Sequence, residues 1–432
     1  MKKRGFALVV VLLGLALLAI IAFGLTTIMT SDYLTSRDEL LSAQAFYVAR
    51  AGISRAMAEM GVNEAATPTT PIRGTVGDLY ATCDISKASL PSVNGLDSWK
   101  ITSIGKVWSG ASGTVLASRT LEAVLEQETF ASYAYFTDQE TSWWGTAIWF
   151  LTGDTLRGPV HSNGYLNVSG KPEFTDEVTT YNRNDSYLDR VSGTYNQRGA
   201  RNGDNRDYYH FFTAYLNDIP TAARDAAQFA FNGGQAEIPL PSVATSEDAL
   251  RVTGSSYVIP WGKDTYIYNG SWSTTSKNHI YVEGDAIVYG HVSGSKTISS
   301  GGNIWIADDI TYDDKSTDAL GLVANNHVIV QTNPYAREDL EINAAIMARN
   351  GSFFVNNYGE GVPRGTLKLY GSLIQKVRGP VGLFNPNTQT GITGYVKNYS
   401  YDKKLKRTPP PYFPVAQQIR LRYVKDKAAL QE

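Results

Sequence analysis

Residues 1–30, MKKRGFALVVVLLGLALLAIIAFGLTTIMT, and residues 31–60, SDYLTSRDELLSAQAFYVARAGISRAMAEM, decide how the rest of the chain is read. Lys2, Lys3 and Arg4 precede Gly5, and no charged side chain occurs from Phe6 to Met29. A helix needs about 20 such residues to cross a bilayer. The basic cluster ahead of it favours a cytoplasmic N-terminus, which puts the chain beyond residue 30 outside the inner membrane. Further on, Phe46, Ala49, Ile53, Met57 and Met60 recur at three- and four-residue steps, an amphipathic stripe. One helix from Phe6 to Met60 would be roughly 80 Å long. The competing readings are a cleaved signal peptide, which has a shorter apolar core and a small-residue cleavage site, and a plain single-pass anchor.

A short basic leader ending in Gly5, then Phe6, then an apolar run merging into an amphipathic helix resembles the type IV prepilins. The segment AFYVARAGISRA (45–56) is similar to the helix of PilX-type minor pilins. The resemblance implies cleavage after Gly5 by a prepilin peptidase, methylation of the new N-terminal Phe6, and packing of the helix with other pilin subunits. Major pilins carry a glutamate five residues into the mature chain, where this sequence has Val10; Arg50 also stands where related helices have Glu. These departures point to a minor subunit at a filament tip. Gly14, Ala16, Ala19, Ala22 and Gly24 would let neighbouring helices approach closely.

After the helix, residues 61–73 (GVNEAATPTTPIR) form a Pro/Thr-rich connector. Strands are expected over Leu79–Ile85, Ser98–Val107 and Gly113–Gln127, a small antiparallel sheet of the kind that packs on pilin helices. From about residue 129 the character changes to short apolar strands bounded by Gly and Asn. Tyr281, Trp305, Ile329 and Phe354 stand 24, 24 and 25 residues apart. That spacing suggests stacked coils, a β-solenoid, with a β-sandwich as the alternative. The composition agrees: 39 Gly, 26 Tyr and 8 Trp suit a β-rich chain with many turns. After the stiff PPP run at 409–411, Gln417–Val424 reads as one more strand, returning to the first sheet.

The expected fold is therefore α+β: a long N-terminal helix packed on a small antiparallel sheet, with a large inserted β-rich domain. The boundaries are 1–5 leader, 6–60 helix, 61–128 β-meander, 129–410 inserted solenoid and 411–432 closing strand and tail. This layout resembles large competence pilins in which a pilin domain carries a β-solenoid. The stretch GDTLRGPVHSNGYLNVSGKPEF (153–174) resembles an uncharacterised domain often found behind pilin-like N-termini.

Chemistry is sparse. His161, His210, His279, His291 and His327 lack metal-binding spacing, and there is no nucleophile elbow or phosphate loop. No cofactor and no catalysis are expected, and His161 and His327 read as turn or stack residues. Cys83, the sole cysteine, reads as a buried strand residue. Asp308, Asp309, Asp313 and Asp314 are dense enough to hold calcium or to be a solvated acidic loop. Residues 181–215 mix tyrosines with five arginines, offset by Asp185, Asp189, Asp204 and Asp207. Between Tyr395 and Lys427 lie nine Lys/Arg and two Asp, in a chain whose net charge is −2. Within it Lys397, Lys403, Lys404, Lys406, Arg407, Arg420 and Arg422 form a candidate polyanion surface; the alternative is the wet face of an edge strand.

The reading that follows is a minor, tip-located subunit of a type IV pilus or DNA-uptake pseudopilus. It sits in the inner membrane with its β-rich domain outside, displayed for adhesion or DNA binding, with DNA or a surface glycan as ligand. The alternatives are a pseudopilin of a type II secretion-like system and a membrane-anchored β-helix protein that binds or cleaves polysaccharide.

Overall fold

The computed structural model describes residues 3–62, 65–93, 96–110, 113–146, 148–151, 154–163, 166–169, 172–176, 178–180, 249–331, 337–385, 388 and 390–427. One helix runs from Lys3 to Val62. Its side chains are exposed throughout from Val10 to Leu40, and then a stripe turns inward: Leu41, Ala45, Val48, Ala49, Ile53, Ala56 and Met60. Of the expected stripe, Ala49, Ile53 and Met60 are at its centre, while Phe46 and Met57 flank it, partly buried.

The stripe packs on a five-stranded antiparallel sheet: Ile72–Val76, Leu79–Val93, Leu96–Trp108, Val115–Thr129 and Val415–Asp426, in that order. Small residues let the two layers touch backbone to backbone. Ser103 Oγ donates to the Ala49 carbonyl at 2.6 Å. A Cβ added to Gly105 would lie 2.2 Å from the Ala45 carbonyl oxygen. One added to Gly52 would meet Cys83 Sγ and Ser103 Oγ at 2.3 Å each. Cys83 is a buried strand residue whose thiol burial pushes up to about 11. Ile101, Leu121, Ala123 and Leu125 complete this core.

The chain leaves the sheet at Thr129 and returns at Val415, residues that pair with each other. Between them lies a β-solenoid built of three parallel ladders. One inward column reads Leu250, Ile280, Ile298, Leu322, Ile346, Leu373, Tyr135, Val160 and Val178, each paired with the next. A second reads Val258, Val288, Ile306, Val330 and Val355. A third reads Ile310, Ile342, Leu369, Tyr399, Leu156 and Phe174. All but Leu250 fall in the buried class, and they form one continuous core. At about 1.5–3 kcal/mol for each fully buried aliphatic side chain, these columns are the main source of the domain's stability.

The order of the first column holds the topological surprise. The stack runs from residue 250 to 375 and then continues with 135 to 180. The chain therefore enters the solenoid in the interior of the stack, at Tyr135–Gln139 against Pro363–Val377. It winds to one end, is joined through 181–248 to the far end, and winds back to the interior.

The repeat itself is less regular than the sequence suggested. Trp305, Ile329 and Phe354 do stack in register. Tyr281 belongs to a different ladder, where it pairs with Ser299, and Ile287 occupies the place beside Trp305. The turns between strands differ in length, so coils take 18 residues (287 to 305) as readily as 24 or 25, and the first equal interval is accidental.

Two features fix the solenoid to the sheet. Residues 402–414 lie as a strap on the outside of the first ladder. Leu405 and Phe413 pack there with Phe130, Phe136, Met347 and Ile374. Thr297 Oγ1 donates to the Pro411 carbonyl, and the Tyr412 ring stacks on His279 at 4.9 Å. At the junction of first and last coils, Arg378 Nη1 meets Glu140 Oε2 at 2.9 Å, with side chains 3% and 1% exposed. The guanidinium lies 3.7 Å from the Phe150 ring centroid. Lys397 pairs with Asp154 at 3.1 Å beside it.

Two substitutions test this arrangement. Gly105→Ala should destabilise the protein by about 1–3 kcal/mol, because only backbone stands in the way; hydrogen exchange should show lost protection over 41–60. Glu140→Gln should cost about 3–5 kcal/mol by stranding a buried guanidinium. The double variant Glu140→Gln/Arg378→Met should recover part of that in thermal melts.

Candidate functional surfaces

The N-terminal helix carries a segment of mean hydropathy 2.6, none of it buried, long and apolar enough to cross a membrane. The helical backbone runs without a break through Gly5 and Phe6.

The seven basic residues singled out near the C-terminus divide into two sets. Lys397 is drawn into the solenoid by Asp154, and its ammonium is held below the usual lysine range by burial, against the pull of that carboxylate. Lys404 pairs with Asp402, donates to the Lys315 carbonyl and lies 4.8 Å from the Tyr312 ring centroid. Both are occupied in holding the fold. Lys403, Lys406 and Arg407 are exposed on the helical turn Lys403–Lys406 and just after it. Arg420 reaches the Lys406 carbonyl and bonds Glu126 at 2.8 Å. Arg422 stands 3.8 Å from the same carboxylate with its side chain about half exposed. Turn and edge strand thus share one basic surface at the junction of sheet and solenoid, with Glu126 inside it.

The four aspartates of the acidic run each have a separate partner. Asp308 Oδ1 accepts from the Asp309 amide, and Asp309 Oδ1 from the Glu341 amide, each at 2.8 Å. Asp313 pairs with His291 Nδ1 at 2.7 Å. Asp314 accepts from the Ser316 amide at 2.8 Å, capping a turn. Their ladder and turn partners point them in different directions. Among the described residues no group of three or more His, Cys, Asp or Glu could hold a metal ion.

The described histidines are likewise scattered. His161 is buried, stacked on Phe136 with ring centroids 5.0 Å apart and bonded to Asn163 Oδ1 at 3.0 Å. Burial lowers it to about 4, so it is neutral at physiological pH. His279, under Tyr412, is also lowered by burial to about 4. His327 accepts from the Ser352 amide at 3.1 Å and lies between Trp143 and Phe354. His279 Nε2 stands 3.2 Å from Ser299 Oγ, a pair buried beneath the strap. His210 and the aromatic and basic stretch 181–215 lie outside the described residues.

One surface was missed by sequence reading. The hairpin Asp264–Tyr268/Trp272–Thr275 adds two antiparallel strands to the end of the second ladder. With Ser256–Gly262 it forms a cleft of about 670 Å³ lined by Ile259, Trp261, Tyr266, Trp272, Ser273, Thr274 and Tyr289. The alternating aromatics in YVIPWGKDTYIYNGSW (257–272) were the available signal.

Residues 98–182 match the model of a domain of unknown function (DUF4900). The matched stretch runs from the middle of the antiparallel sheet into the first solenoid strands. No curated protein matches the chain. Among solved structures, the crystal structure of the competence-associated pilin ComZ from Thermus thermophilus is similar over 90% of this chain and 97% of that one, at 14% identity and a TM-score of 0.34.

Proposed function

We propose that this chain is a minor, tip-located pilin-like subunit, held in the inner membrane by its helix and displaying its β-solenoid outside for adhesion or DNA capture. The observation that carries the reading is the helix itself. From Val10 to Met29 it offers an exposed face without a single charge to lipid or neighbouring helices, while its last twenty residues, from Leu41 on, are packed on a folded domain. Prepilin peptidase cuts between Gly5 and Phe6, Phe6 is methylated, and the mature helix joins other pilin subunits. Val10 supplies no carboxylate to pair with a neighbour's N-terminal amine, which suits a subunit at the end of a filament. The solenoid is too bulky to repeat along a thin fibre.

For a DNA ligand, the contact surface is Lys403, Lys406, Arg407 and Arg422, with Arg420 bracing turn to strand. Phosphate contacts of this kind carry no sequence preference and weaken steeply with salt.

The deciding measurement is intact mass from cells with and without prepilin peptidase. Loss of residues 1–5 and gain of one methyl group, only where the peptidase is present, is the expected result. An uncut chain in both strains would leave a membrane-anchored β-domain. DNA capture is tested separately: Lys406→Ala/Arg407→Ala/Arg422→Ala should weaken duplex binding about tenfold or more and flatten its salt dependence.

A further inference from the structure

The outward positions of the second ladder line up as strictly as the inward ones. Trp272 pairs with Tyr268, Tyr268 with Tyr257, Tyr257 with Ile287, and Ile287 with Trp305. These five side chains form a track across the strands, along the stack axis, roughly 19 Å long at the usual strand separation. Trp272, Tyr257 and Tyr268 are exposed, and neighbouring rings stand 5.0 Å and 6.3 Å apart. On one side the track opens into the cleft with Trp261, exposed by 57%, at its wall. On the other, the column continues to Ile329, which is buried beneath the coil end where Trp143 packs on His327. The accessible part is therefore the distal part, meaning the end of the stack formed by residues 250–275.

Capping does not account for these rings. The hairpin closes the end of the stack with its inner face, where Thr265 and Ile267 are buried, and the aromatics stand on the other face. Exposed aromatic rings on a rigid sheet, rather than scattered singly, mark a binding surface. The chemistry narrows the ligand. A single-stranded nucleic acid needs cations beside the rings for its phosphates, and neither the track nor the cleft lining contains Lys or Arg. What flanks the rings is mainly hydroxyl and carboxylate: Ser273, Thr274, the tyrosine hydroxyls, and Asp285, which accepts from Trp305 Nε1 at 3.0 Å; His291 packs on Trp261 at 4.4 Å, and exposed Lys263 follows in the hairpin turn. Flat apolar faces bordered by hydroxyls and a carboxylate acceptor complement a pyranose, which has apolar C–H faces and an equatorial rim of hydroxyls. The ring spacing is close to the length of one sugar unit, and the track is straight.

We propose that the distal face of the solenoid binds a neutral, linear, β-linked glycan, laid along the stack axis over Trp272, Tyr268 and Tyr257 with Trp261 gripping its edge. This gives the adhesive half of the display reading a ligand class and a location, and it rests on that reading only in taking the solenoid to be presented to the surroundings. It is distinct from the basic surface, which lies at the junction with the sheet.

The test uses the full chain in a detergent without a sugar headgroup, with cellohexaose and chitohexaose as probes and oligo-dT as the comparison ligand. Binding is read by calorimetry and by tryptophan fluorescence. At least one hexasaccharide should bind, quench the fluorescence and hold its affinity from low to high salt, since no charge is engaged. Trp272→Ala and Trp261→Ala should each weaken it about tenfold or more; Trp144→Ala, also exposed but off the track, should not. Both positions are on the surface, so unchanged melting curves will separate lost binding from lost fold. Failure of both hexasaccharides to bind, or binding unaffected by both substitutions, overturns the proposal. So does oligo-dT binding that Trp272→Ala abolishes, which would assign the rings to bases. None of these outcomes depends on processing at Gly5, so failure here and failure of the pilin reading are distinguishable.

Discussion

The ladder between Leu373–Val377 and Tyr135–Gln139 is the contact on which the rest of the large domain depends. It joins the two halves of the solenoid into one stack, and it does so beside the point where the chain comes in from the sheet and goes back to it. The pair Arg378–Glu140 sits in this seam, almost wholly removed from water. Such a pair contributes little net stability against an apolar replacement, but a wrong register would leave both charges unpaired at great cost. Its position suits specification of one alignment: Gln375 Nε2 bonds the Tyr135 hydroxyl, the Arg378 guanidinium bonds Glu140, and the amide of Arg378 bonds the Gln139 carbonyl. A stack of similar coils has many near-equivalent alignments, and one buried charge pair distinguishes among them.

The same seam explains how a helix and a solenoid behave as one body. Thr129 and Val415 leave the sheet side by side, the strap 402–414 lies against the first ladder, and Phe413 links both cores. At the other end of the sheet, Gly105, Gly52 and Ser103 bring helix and strands to backbone contact. A packed path therefore leads from the long helix through the sheet and strap to the solenoid that bears the aromatic track. The two candidate ligand surfaces differ in place and chemistry: one basic, at the junction of sheet and solenoid, and one aromatic, at the end of the stack.

Much of this was legible in sequence, for identifiable reasons. The helix was plain because twenty-four uncharged residues admit few structures, and its packed half because the stripe has helical period. The closing strand showed through the alternation of Ile419, Leu421 and Tyr423. The solenoid showed through Trp305, Ile329 and Phe354, whose coils happen to be of equal length. Tyr281 misled because turn length is free to vary while ladder register is not. The interior point at which the chain joins the stack was invisible, since nothing local at Tyr135 encodes its pairing with Leu373. Charge was the least transferable signal. The basic run looked uniform, but Asp154 claims Lys397, Asp402 claims Lys404 and Glu126 claims Arg420, the first and last from far away in the chain. The acidic run left calcium binding and a solvated loop both open because density along a chain says nothing about direction, and its members each bond an amide or a ring.

Joining the stack from its interior also sets a schedule for biogenesis. Glu140 emerges from the ribosome long before Arg378, which lies 238 residues later. Until then the strand Tyr135–Gln139 has one edge with no partner, and the first coils cannot close. A sheet edge left open in this way is a template for pairing with other chains. The protein thus spends most of its own synthesis with its central seam unsealed. It matures only when the last coil arrives, so premature truncation anywhere before about residue 378 would leave every earlier coil without its keystone.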